Sequence, residues 1–91
     1  MAVTGTFSGT GQSSILIAQS AALDMTFAGT ATVNLERQID GTNWRVIETY
    51  TASVHLNIYP QGFPTRLNCT AHTNDVVYAM AEVEGTEKNY V

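Results

Sequence analysis

Between Gly29 and Ala52 the side chains alternate in two runs that meet at a sharp polar reversal. Val33, Leu35 and Arg37 share one face of an extended chain, with Asn34, Glu36 and Gln38 on the other. After the reversal, Trp44, Val46 and Glu48 oppose Arg45, Ile47 and Thr49. Successive side chains of a strand point to opposite faces, so this period of two predicts a pair of half-buried strands. Between them stands Ile39-Asp40-Gly41-Thr42-Asn43. An aspartate that bonds nearby backbone and a glycine free to take positive φ suit a tight reversal, so the segment predicts a β-hairpin. Asp40 would cap the loop, Gly41 would take the positive φ, and Trp44 would anchor the hairpin on the core.

The same period recurs along the chain. Val3 to Ser8 and Gln12 to Ala18 read as strands separated by Gly9-Thr10-Gly11, a turn rich in glycine. Leu23, Met25 and Phe27 alternate with Asp24, Thr26 and Ala28, and Val54, Leu56 and Ile58 with His55, Asn57 and Tyr59. Tyr59-Pro60-Gln61-Gly62-Phe63-Pro64 interrupts, since two prolines and a glycine in a short span make a loop. Arg66 to Ala71 resumes the alternation, Thr73-Asn74-Asp75 turns the chain, and Val76 to Val83 alternates once more. Ile15 to Met25 can be written as a helix, but the weak strand propensity of Gln19-Ser20-Ala21-Ala22 favours a turn there. From Glu84 the alternation is lost, and the tail is either frayed or docked on a neighbour through Tyr90 and Val91. Short strands punctuated by turns predict an all-β fold: a small antiparallel β-sandwich, Greek-key or jelly-roll-like, forming a single domain over residues 1–91.

Composition narrows the function classes. A chain of 91 residues buries a modest core, so partner subunits would add stability. Hydrophobic residues make up 44% and charged residues 13%, which leaves a largely neutral surface suited to packing against other protein. The net charge of −4, with Arg37, Arg45, Arg66 and Lys88 scattered, argues against nucleic acid. Cys69 is the single cysteine; it has no intrachain partner, and its place in an alternating run predicts a small apolar side chain facing the core. Met1 to Thr6 carries no basic region and no long apolar segment, so neither a signal peptide nor a membrane helix is expected, and the chain is expected in the cytosol or in an assembly exported from it.

Reaction chemistry is weakly signalled. His55 and His72 stand alone, without the spacing of metal ligands, and no metal or cofactor is expected. Ser13 and Ser14 lie outside any nucleophile elbow. Gly5 to Gly11 superficially resembles a phosphate-cradling loop but lacks its Lys-Ser/Thr ending and any helix start. Asp40 and Glu48 are read as solvated carboxylates. Asp40-Gly41-Thr42-Asn43-Trp44 resembles a short form of the Asp-box turn of sialidases, whose implied role is structural. The functional alternative for Trp44 is exposure and stacking on a sugar.

Taken in order, Gly5-Thr6-Phe7-Ser8-Gly9-Thr10-Gly11-Gln12-Ser13, Phe27-Ala28-Gly29-Thr30, Val33-Asn34-Leu35-Glu36-Arg37 with Asp40-Gly41 and Trp44-Arg45-Val46, and Arg66-Leu67-Asn68-Cys69 resemble small tailed-phage virion proteins of the capsid decoration, cement or head-associated type. The similarity spans nearly the whole chain; the departure is the hairpin tip, shorter than the family pattern. The resemblance implies a non-enzymatic β-sandwich protein on the capsid surface, made in the host cytoplasm. It would bind the major capsid protein and associate with itself, a trimer being favoured. The contact candidates are Gly9 and Gln12 in one turn, Tyr59 and Phe63 in the proline-rich loop, and Tyr90 and Val91 in the tail. A neck or tail protein, or a carbohydrate-binding module using Trp44, Tyr50 and Tyr59, is the alternative.

Overall fold

The computed structural model describes residues 2–83. Its eight strands are β1 (Ala2–Phe7), β2 (Gly11–Gln12), β3 (Ala21–Phe27), β4 (Ala31–Gln38), β5 (Trp44–Tyr50), β6 (Val54–Ile58), β7 (Thr65–His72) and β8 (Val76–Glu82). The pairs nest around the Asp40-Gly41 reversal. Leu35 lies opposite Glu48, Leu23 opposite Leu56, Gln12 opposite Asn68 and Val3 opposite Met80, so one half of the chain runs back antiparallel along the other. This long ribbon then wraps on itself. Wrapping adds the pairs β3 with β8 and β4 with β7, and completes two four-stranded sheets, β1-β8-β3-β6 and β2-β7-β4-β5. That strand order is a jelly roll, and the all-β sandwich expected from the alternation is the observed fold.

The two sheets bury one face each. Leu23 and Met25 of β3, Val76 and Met80 of β8 and Ile58 of β6 meet Val33 and Leu35 of β4 and Leu67 and Cys69 of β7. Their alternate neighbours Asp24, Thr26, His55, Asn57 and Val77 face solvent, as the pleat requires. Full burial of such side chains contributes roughly 1.5–3 kcal/mol each. Cys69 is part of this core, and burial pushes its thiol pKa up, which keeps it a packing group. On the edge strand β1, Gly5 lies opposite Tyr78, and a Cβ on it would sit 2.6 Å from the tyrosine oxygen. The missing side chain lets the Tyr78 ring lie across β1 and tilt against Phe7, with centroids 4.6 Å apart.

Three expectations are corrected. The strand expected over Gln12 to Ala18 is reduced to β2 and a single bridge between Leu16 and Thr65. In between, the Ser13 side-chain oxygen accepts the Leu67 N–H at 2.9 Å, replacing a backbone partner and breaking the ladder. The turn expected at Gln19 to Ala22 is shorter, because Ala21 already belongs to β3 and is fully buried between β6 and β8, where a small side chain is needed. In the hairpin, Leu35 faces Glu48 but Glu36 faces Val46, so Ile47 is an extra, bulged residue. The bulge ends the strict alternation of β5 and turns Glu48 to the same side as Arg45.

Candidate functional site

The ends of the sandwich and the outer face of the β2-β7-β4-β5 sheet carry the candidate residues. One end holds the β4–β5 tip, the segment around Ala18 and Gln19, and the β6–β7 loop. At the tip, Asp40 Oδ1 accepts the Thr42 N–H at 2.9 Å and the Asn43 N–H at 2.7 Å, while Oδ2 accepts Asn43 Nδ2 at 3.0 Å. Gly41 has a φ of 80°, which a side chain would strain. The bonds from Asn43 and Thr42 hold the Asp40 carboxyl at a pKa of about 2, against an ordinary 3.8. A depressed folded-state pKa stabilises the loop fully above the ordinary value, and that contribution fades as pH falls through about 2. An NMR titration of the Thr42 and Asn43 amides should therefore show a midpoint near 2. A midpoint at the ordinary aspartate value would mean that these bonds do not persist in solution.

The β6–β7 loop packs beside this tip. The Tyr59 carbonyl accepts Arg37 Nη2 at 3.2 Å, Gln61 N–H bonds the Gln19 carbonyl at 3.1 Å, and Gly62 N–H bonds that of Ala18 at 2.9 Å. Two successive left-handed residues, Gln61 and Gly62, make that return possible. Pro60 is buried beneath, Tyr59 projects at 60% exposure, and Phe63 is half-buried. Arg37 Nε, at this end, is buried without a hydrogen-bond partner among the described residues. Gly9 and Gln12 are not part of this grouping. Gly11 pairs with Cys69, toward the far end of β7, so Gly9 lies with the turns at residues 28–30 and 73–75. The structure thus separates the two sets of contact candidates onto opposite ends, while Tyr90 and Val91 lie outside the described residues.

On the outer sheet face the register brings Asn34, Glu36 and Gln38 of β4 beside Arg66 and Asn68 of β7 and Trp44, Val46 and Thr49 of β5. Glu36 Oε1 accepts Arg66 Nε at 2.8 Å, and Oε2 accepts Asn68 Nδ2 at 3.0 Å. The Arg66 guanidinium lies 4.1 Å from the centroid of the Trp44 ring. Glu36 is only 6% exposed although it faces away from the core. Buried carboxylates persist when both oxygens are satisfied, which Arg66 and Asn68 achieve here. Trp44 does not anchor in the core, as its apolar area alone implied. Its partner Gln38 faces outward, so the pleat turns Trp44 outward as well, and it grips β7 through Arg66.

Sequence reasoning singled out Tyr59 but passed over the rest of the exposed apolar surface. Ile17, Ile39, Tyr59 and Val83 are exposed at the hairpin-tip end, and Val46 and Ile47 are exposed along β5. The run Ile15-Leu16-Ile17 held a usable signal, since alternation can bury either Leu16 or its two neighbours; the structure buries Leu16. Among the described residues no group of three or more His, Cys, Asp or Glu could hold a metal ion, and no helix is long and apolar enough to cross a membrane.

These observations define the chain as a small two-sheet jelly-roll domain. No family model matches it, and no curated protein matches it. Among solved structures it is similar to the Yersinia pseudotuberculosis-derived mitogen YPM, with 16% sequence identity and a TM-score of 0.53 over 98% of this chain and 90% of that one. At that identity the likeness concerns the fold alone.

Proposed function

We propose that this chain is a non-enzymatic virion structural protein of the capsid decoration or cement type, which binds the major capsid protein and associates with itself on the particle surface. The observation that carries the reading is the exposed apolar side chains gathered at the hairpin-tip end and along β5 of a charge-poor domain. Surfaces of that kind mark protein contacts. Jelly rolls recur in capsid and lectin domains, but a fold by itself assigns no function; the motif resemblance across the chain is what selects the phage virion. Tyr59 and Phe63 would face the capsid beside the hairpin tip, and Gly9 with Gln12 would meet a different neighbour at the far end. Many weak contacts on a repeating lattice then act together, since each further contact is effectively intramolecular once the first has formed.

Quantitative mass spectrometry of purified particles tests this. Copy numbers comparable with the major capsid protein are expected; a handful per particle would move the chain to the neck or tail, and absence would overturn the virion assignment. A second reading, a carbohydrate-binding module, is favoured by the outward placement of Trp44 beside Glu36, Arg66 and Asn68. It requires glycan binding that Trp44→Ala abolishes without loss of folding.

A further inference from the structure

Strand β5 pairs with β4 on one side and, among the described residues, ends its sheet on the other. Arg45, Val46, Ile47, Glu48 and Thr49 are all exposed, Val46 at 54% and Ile47 at 41%. An edge strand presents unpaired N–H and C=O groups, which makes it a template for another strand. The sequence Arg45-Val46-Ile47-Glu48 is complementary to itself: laid antiparallel against its own copy, it sets Arg45 opposite Glu48 and Val46 opposite Ile47, each twice.

In a regular strand this register would fail. A two-fold axis normal to a sheet brings together only residues on the same face, and residues three apart lie on opposite faces. The bulge at Ile47 removes the obstacle. Arg45 stands opposite Arg37 and Glu48 opposite Leu35, both on the core side of the sheet, while Trp44 opposite Gln38 and Thr49 opposite Asn34 share the outer side. With the axis between Val46 and Ile47, Arg45 meets Glu48 on one face and Trp44 meets Thr49 on the other. Moving the axis onto Val46 would set outward Trp44 against inward Glu48. Moving it onto Ile47 would set outward Val46 against inward Glu48. Within its own sheet Arg45 faces Arg37, a like-charge neighbour that an incoming carboxylate would offset.

We propose that β5 is a two-fold self-association edge, pairing antiparallel with β5 of a second copy so that two four-stranded sheets become one continuous sheet of eight. The contact is isologous, the same patch meeting itself, and it goes beyond the virion reading without depending on it. The resemblance favours a trimer among cyclic assemblies; this edge supplies a two-fold contact.

The test is sedimentation equilibrium of the full chain across a concentration series. The wild type should form a dimer, or an even-numbered assembly built from it. Arg45→Glu and Glu48→Arg should each weaken it about tenfold or more, because each replaces two opposite-charge pairs by two like-charge pairs. Mixing these two variants should restore association, since both carboxylates of the first variant's edge then face guanidinium groups on the second; circular dichroism of each variant confirms that it is folded. The double variant Arg45→Glu/Glu48→Arg should also associate like the wild type. Bulges and edge charges also serve to keep edges from pairing, so a chain that stays monomeric at every concentration overturns the proposal. A trimer alone, or a dimer indifferent to both substitutions, overturns it equally.

Discussion

Leu67→Ala is expected to lower the unfolding free energy by about 3 kcal/mol, a large part of the roughly 5–10 kcal/mol that a domain of this size has in reserve. Leu67 is fully buried and lies on β7 between β2 and β4, opposite Leu35. Its N–H is held by the Ser13 side chain at 2.9 Å and its carbonyl by the Ser13 N–H at 2.8 Å. That backbone cannot shift inward to fill the space a shortened side chain leaves, so the cavity persists and its lining loses its contacts. Urea unfolding should show a lower midpoint at an unchanged slope, the sign of lost stability without a change in compactness. A loss under about 1 kcal/mol would mean that the two sheets do not close over this side chain.

The second large effect concerns the Glu36 network. Glu36→Ala removes the acceptor for both Arg66 and Asn68 on the outer sheet face. Breaking a fully buried pair costs about 3–5 kcal/mol, but the Arg66 side chain keeps 22% exposure and can turn back toward water. A loss of about 1–3 kcal/mol is therefore expected. Glu36→Gln keeps an acceptor without the charge and should lose less. Because Trp44 is the single tryptophan, its emission reports the same event. Freed from Glu36, Arg66 no longer rests against the ring, so the Trp44 spectrum should change in Glu36→Ala and change less in Glu36→Gln. Unaltered stability together with an unaltered spectrum would show that the Glu36 carboxylate is solvated and does not hold Arg66 and Asn68.

Both sites show where legibility in the sequence ends. Leu67 could be placed in the core from its alternation with Arg66 and Asn68, because inward and outward positions differ sharply in polarity there. Glu36 could be placed on the outer face by the same pattern, but not its enclosure. Whether an outward carboxylate is solvated depends on which side chains stand beside it on β7, and β7 begins far along the chain. Trp44 shows the same limit. Its size argues for the core, yet its direction is set by Gln38 across the hairpin, and pleat geometry outweighs the preference of one side chain. The bulge at Ile47 left no trace in the residue pattern, although it decides that Arg45 and Glu48 share a face. The contact candidates were legible as loops, but their sorting onto two ends was not.

By itself the sequence determined the period of two, the turns that punctuate it and the Asp40-Gly41 reversal near the middle of the chain. These are local properties, fixed by side-chain polarity and by backbone angles within a few residues, and together they specify an antiparallel ribbon and a sandwich. Tertiary structure alone decided the wrapping that sets β3 beside β8 and β4 beside β7, the enclosure of Glu36 under its neighbours, and which strands were left at the sheet edges. Those outcomes depend on pairings between residues far apart in the chain, where the closure of two apolar sheet faces over one core selects the partners.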